Sequence, residues 1–208
     1  MVVAEVPVFD QVGMKGQGMD GPFGCIRDSR IANESMVLKP QDVFVVRKMV
    51  ASGTKRRPYA QLASELQMSV PEVHACVERA TACHLLHGPN VGSRPNLNAV
   101  EEFLVHGLPY VFPAERGELT RGIPTSCAAM PLQALIAPGD EPIPVWPNGD
   151  GRERGISFSP LYKTAAVAAQ RDPRFYELLA VTDALRGGRP QERKLAAQEL
   201  SKRLRSAG

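Results

Sequence analysis

Leu62, Ala63 and Leu66 fall on one helical face, and Val73, Val77 and Ala80 resume the same spacing after a break at Gln67-Met68-Ser69. The pattern predicts a helix, a tight turn and a second helix. Ser69 is placed to cap the second helix, and Glu72 three residues on completes a capping box. Pro71 falls in the first turn, where a missing N–H costs nothing. Upstream, Val43, Phe44, Val46, Met49 and Val50 give a buried face to a first helix over Leu38–Ala51, which Ser52-Gly53 ends. Downstream, Leu85-Leu86 starts a strand, and the chain turns at His87-Gly88-Pro89-Asn90 before reaching Arg94 and Pro95. Asn98 is read as the cap of a further helix, with Glu101 at the capping-box position, Val100, Phe103 and Leu104 buried, and Gly107 as its end.

The remaining stretches have a different texture. Residues 1–37 carry Gly13, Gly16, Gly18, Gly21 and Gly24 without periodicity and read as a flexible leader, with Met36 a plausible start. Residues 108–162 hold nine prolines and cannot be mainly helical. Short strands are expected at Tyr110–Phe112, Ile143–Trp146 and Ile156–Phe158, with ordered loops between them. The polar run from Tyr110 to Ser126 is read as a long ordered loop, and such loops often carry function. Trp146 is assigned to the core in preference to an interaction patch. Beyond residue 163 an Ala-rich piece at Thr164–Gln170 suggests a short helix, and two longer ones follow. Asp172 caps the first, Pro173 opens it, Phe175, Leu178, Leu179, Thr182 and Leu185 make its face, and Gly187-Gly188 ends it. The second runs from Pro190 to about Leu204.

The fold expected is α+β: a helix-turn-helix unit over 38–107, a Pro-rich strand and loop region over 108–162, and basic helices over 163–208. In this arrangement the second helix of the central motif usually enters the major groove of DNA. Met68, Ser69, Val73, Val77, Arg79, Leu85 and Leu86 together resemble the motif of winged-helix transcriptional regulators of the MarR type. The resemblance covers roughly 50 to 60 residues, the normal extent of so small a module. It implies a wing at 87–95 and base recognition by Ser69, Pro71, Glu72, His74, Ala75 and Arg79. One departure stands out. The exposed face of the second helix carries Glu72 and Glu78, with Arg79 its one fixed cation, although a glutamate can accept a hydrogen bond from cytosine.

Charge refines this picture. The whole chain is only +3, too little to argue for nucleic-acid binding by itself. Residues 163–208 alone carry 10 basic and 5 acidic side chains, a net +5. Lys55-Arg56-Arg57 precedes the motif and would lie near a DNA backbone, with a solvated loop as the alternative. Arg94 in the wing could reach a minor groove. In the last helix Ala196, Leu200 and Leu204 form a narrow stripe edged by Arg193, Lys194, Lys202 and Arg203. Such a stripe suits docking on an acidic groove of a protein partner or a second copy. A final helix closing its own domain is the commoner outcome.

No enzyme is expected. Ser157 and Ser159 lack a nucleophile elbow, and the four histidines lie in or beside the motif. Cys76, Cys83, His84 and His87 are close in sequence but lack a Cys-x-x-Cys pair, so no metal site and no cofactor is assigned. No secretory pattern or membrane-length apolar run is present in the sequence, and scattered cysteines suit a reducing cytoplasm. The expected function is a sequence-specific DNA-binding regulator that represses its own operon, with double-stranded DNA as partner. The alternative is a protein-interaction module. A winged helix followed by a distinct C-terminal unit resembles antitoxins of abortive-infection systems, which repress transcription and neutralise a nucleotidyltransferase toxin.

Overall fold

The computed structural model describes residues 37–53, 57–88, 94–137, 139 and 141–207. The expected leader, Lys55 and Arg56 of the basic triplet, and the turn at 89–93 lie outside the described residues. Helix α1 (Pro40–Ala51) opens with Pro40 in its first turn, and the Asp42 carboxylate accepts from the Lys39 backbone N–H at 2.7 Å. An amphipathic helix with one buried face is what the apolar spacing predicts. Instead α1 is enclosed on nearly all sides, with Asp42, Arg47 and Lys48 buried alongside Val43, Phe44, Val45, Val46 and Val50. The reason is its position, because elements from both ends of the chain pack on it.

Helix α2 (Tyr59–Leu66) and helix α3 (Val70–Ala82) follow. Gln67 between them takes a left-handed conformation, φ 54°, which reverses the chain within three residues. The capping box forms as its spacing requires: Ser69 Oγ accepts from Glu72 N at 3.3 Å, and Glu72 Oε2 accepts from Ser69 N at 2.9 Å. Two short strands come next, β1 (Leu86–His87) and β2 (Arg94–Pro95), paired antiparallel with Leu86 opposite Pro95.

The following helix departs from expectation at both ends. Asn96, not Asn98, caps α4 (Leu97–Glu102), accepting from Ala99 N at 3.4 Å. Gly107 does not end it. The chain widens into a π turn over Phe103–Gly107 and continues as α5 (Leu108–Val111). Pro109 explains the widening, since a proline inside a regular helix clashes with the carbonyl four residues back. The wider turn places Pro109 at the start of a new helical turn, so Tyr110–Val111 are helical rather than strand.

The Pro-rich region builds a small sheet from β3 (Arg116–Pro124), β4 (Pro144–Pro147) and β5 (Glu153–Phe158). β3 pairs antiparallel with both others, and β4 pairs parallel with β5, so the three strands close on one another. β4 and β5 lie where short apolar runs predict strands. β3 lies in the polar run read as a loop. Such tight closure needs glycine: a Cβ on Gly122 would run into the Trp146 carbonyl, and one on Gly155 into that of Ile143. Trp146 is buried, as expected.

Helices α6 (Ala165–Arg171), α7 (Pro173–Gly187) and α8 (Pro190–Ala207) complete a mixed α+β chain. The Asp172 carboxylate caps α7 by accepting from Phe175 N at 3.1 Å. One hydrophobic cluster runs from Val43 to Leu204 and draws on the helical, Pro-rich and C-terminal stretches alike. The stripe on α8 belongs to it. Ala196, Leu200 and Leu204 are buried within the chain, and α8 packs along α7. That corrects the reading of Leu200 and Leu204 as a docking stripe, which requires them to be exposed.

A second cluster is polar and buried. Asp183 Oδ2 accepts from Trp146 Nε1 at 2.7 Å and Thr125 Oγ1 at 2.9 Å, while Oδ1 accepts from Arg186 at 2.9 Å. Arg186 also donates to the carbonyls of Phe112, Pro113 and Ser159. Arg47 is less fortunate. Its Nε donates to the Val43 carbonyl of its own helix at 3.3 Å, but its two terminal nitrogens find no acceptor among the described residues. Burial pushes its pKa down to about 9, although the charge of Asp183 pulls the other way. A buried charge without partners destabilises. Replacing Arg47 with Met, which keeps the apolar stem, is expected to raise stability by about 1–3 kcal/mol in urea denaturation. A lower midpoint would show that the guanidinium is compensated after all.

Candidate nucleic-acid interface

Helix α3 turns Val73, Cys76, Val77 and Ala80 into the core and leaves its opposite side to solvent. Ser69, Val70, Pro71, Glu72, His74 and Glu78 are exposed, and Ala75 is half-buried. The Ser69 backbone N–H and hydroxyl hold the Glu72 carboxyl below the usual carboxylate range, so it is charged at neutral pH. His74 meets the edge of Tyr59 with ring centroids 5.5 Å apart, and its Nδ1 lies 3.5 Å from Glu78 Oε2. Through the Tyr59 contact the start of α2 sits beside the exposed face of α3.

Arg79 does not belong to that face. Its Nε donates to Asp42 Oδ2 at 2.8 Å and one terminal nitrogen to Asp42 Oδ1 at 2.6 Å, a two-pronged pair with a fully buried carboxylate. The Asp42 hydrogen bond raises the arginine pKa further. Arg79 is thus a tie between α3 and α1, and its place in the recognition set is corrected. Breaking the pair would strand the Asp42 charge in the core.

Arg57 is engaged as well. It pairs with Glu65, Glu65 with Lys48 at 2.9 Å, and Lys48 with Asp172 at 2.6 Å. Lys48 also lies 5.2 Å from the Phe175 ring centroid. Burial pushes the Glu65 and Asp172 carboxyls up, but the Lys48 hydrogen bond and charge outweigh it and hold both below their ordinary values. This ladder joins the approach to α2, α1 and the start of α7. Arg94, on β2 opposite His87, is exposed.

The C-terminal cations divide. Lys202 pairs with Glu199, and Arg203 bridges Glu199 and Glu177. Arg193 and Lys194 are exposed.

The structure adds residues that no motif marked. Thr164 Oγ1 donates to the Leu66 carbonyl at 2.7 Å, and the Tyr162 ring lies 5.2 Å from Phe44. The Tyr162 hydroxyl and the Lys163 charge both contribute to holding the Glu72 carboxyl below the usual range. The loop 162–164 is therefore seated against the α2–α3 turn from nearly a hundred residues away. Its one sequence signal, a lysine just before an Ala-rich helix, says nothing of where it docks.

Other surfaces offer less. A cleft of about 720 Å³ runs beside Cys127, Met130, Ile136, Ile143 and Tyr176. On its rim Arg189 pairs with Glu141, and Glu192 accepts from the Arg189 backbone N–H. Burial and Glu192 push the Cys127 thiol up, away from reactivity. Burial likewise raises the Cys76 thiol. Among the described residues no group of three or more His, Cys, Asp or Glu could hold a metal ion, and no helix is long and apolar enough to cross a membrane. Compared with protein-family models, curated proteins and solved structures, the chain matches none.

Proposed function

We propose that residues 38–107 form a winged helix-turn-helix of the MarR type and that the chain is a cytoplasmic DNA-binding regulator repressing its own operon. The observation that carries this reading is the capped N-terminal turn of α3. Val70, Pro71, Glu72 and His74 stand exposed there, while the opposite face is locked into the core. A rigid helix with a free face next to a short hairpin is the geometry that major-groove readers use. Ser69, Glu72, His74 and Ala75 face the bases in this reading, with Glu72 accepting from cytosine N4. Lys55, Arg56 and Arg94 anchor the backbone in this reading, and Arg57 joins them only by exchanging Glu65 for a phosphate.

The withdrawal of Arg79 makes backbone contacts the main source of affinity, so binding is modest and salt-sensitive. The test is selection from random duplex DNA, then fluorescence anisotropy across salt concentrations. Replacing Lys55, Arg56 and Arg57 together with Ala is expected to flatten the salt dependence by roughly one unit of slope for each phosphate no longer neutralised. An unchanged slope would make the triplet a solvated loop. Failure to enrich any sequence would sink the regulator reading.

A second reading has its own support. Glu72 and Glu78 leave the exposed face of α3 acidic, which suits a basic protein surface better than DNA. An antitoxin-like role against a nucleotidyltransferase-type partner, with DNA binding secondary, uses the same helix. A partner encoded by the neighbouring gene that binds the wild type but not Glu72→Lys would favour it.

A further inference from the structure

Lys163 is a cation that the helix-turn-helix stretch does not contain but that the fold delivers to it. Two interactions fix its loop. Thr164 Oγ1 donates to the Leu66 carbonyl at 2.7 Å, and Tyr162 packs on Phe44 with ring centroids 5.2 Å apart. Leu161 just before them is buried in the common core. Between these anchored residues Lys163 is exposed, and it forms no ion pair within 4.0 Å among the described residues. The Thr164 bond seats it at the α2–α3 turn, and its charge is one of the causes that lower the Glu72 pKa.

The charge balance at that end of α3 gives this placement meaning. Arg79, the one arginine of the helix, is engaged by Asp42. Glu72 would repel a phosphate approaching the first turn unless a cation stood beside it. Lys163, held at the α2–α3 turn, offsets that charge. We propose that Lys163 grips a phosphodiester of the DNA backbone beside the N-terminal turn of α3, so that the C-terminal half supplies part of the DNA-binding surface. This rests on the reading of α3 as the recognition helix. An ammonium on a flexible stem suits a point contact with phosphate, which fixes register without reading sequence.

The test uses the full chain with Lys163→Gln, Lys163→Arg and, as a control, Lys194→Gln on the exposed side of α8. Anisotropy with the selected duplex is measured from low to high salt. Lys163→Gln is expected to reduce the salt slope by about one unit and weaken binding roughly tenfold at low salt, leaving base preference unchanged. Lys163→Arg should restore the slope, and Lys194→Gln should not alter it. Melting temperatures should match throughout, since the side chain is exposed. Tight binding by the wild type with an unchanged slope in Lys163→Gln overturns this assignment alone. Absence of salt-dependent binding by the wild type overturns both the assignment and the regulator reading beneath it.

Discussion

Asp183→Ala is expected to lose about 3–5 kcal/mol of stability, the loss that follows when one partner of a buried ion pair is removed. Asp183 is 1% exposed and accepts three hydrogen bonds, from Thr125, Trp146 and Arg186. Those donors come from the loop after β3, from β4 and from α7, so one carboxylate joins the sheet to the C-terminal helices. Without it Trp146 Nε1 and Thr125 Oγ1 lose their acceptor in a dry interior, and each orphan is costly. Charge weighs more heavily still. Arg186 keeps the carbonyls of Phe112, Pro113 and Ser159 and the face of Phe158, at 5.8 Å to its centroid, but loses its counter-ion. Arg47, already without acceptors for its terminal nitrogens, loses the one charge that favours it. Asp183→Asn keeps an acceptor oxygen and drops the charge, so its loss should fall between wild type and Ala. Urea midpoints measure all three. A loss in Asp183→Ala below about 1 kcal/mol, the worth of a single ordinary hydrogen bond, would mean the network is not the joint described.

Leu200→Glu combined with Leu204→Glu is expected to abolish cooperative unfolding altogether. Both leucines are essentially inaccessible, at 0% and 2%. Truncating one buried leucine to alanine already costs about 2–5 kcal/mol, and here two carboxylates enter the core without partners. Together these exceed the roughly 5–15 kcal/mol that hold a typical domain. Circular dichroism and a thermal scan would show the loss. A folded variant that had merely lost self-association would return α8 to the role of a docking helix.

That helix shows why some of the molecule is legible in the sequence and some is not. The stripe at Ala196, Leu200 and Leu204 is visible, but its narrowness points to a surface helix. Pairing hides the remainder: Glu199 is itself buried and holds Arg203, which reaches across to Glu177 on α7. The flanks are closed by ion pairs between helices, which no periodicity reveals. Local rules succeed where the determinants are local. Ser69 with Glu72, Asp172 with Pro173, and the apolar spacing of α2, α3 and α7 produce the expected elements. They fail where a distant residue decides. Arg79 looks like a recognition residue until Asp42, 37 positions away, claims it. β3 has two glycines and little alternation, so its pairing with β4 and β5 is specified by those strands rather than by itself. α1 carries a one-sided pattern, yet Lys48 is buried because Glu65 and Asp172 converge on it. At the candidate interface the exposed turn of α3 is readable from its cap, whereas Lys163 is not, because its position depends on a hydrogen bond between Thr164 and Leu66.

In the proposed regulator DNA meets the first turn of α3, flanked by Lys163 and the β1–β2 hairpin. Amide chemical-shift mapping of the isotope-labelled chain, titrated with its selected duplex, tests it most directly. The largest shifts are expected at Ser69–Glu78, at Tyr162–Thr164 and around Arg94, with little change along α8. Shifts confined to α8 or to the cleft beside Cys127, with α3 silent, would contradict it.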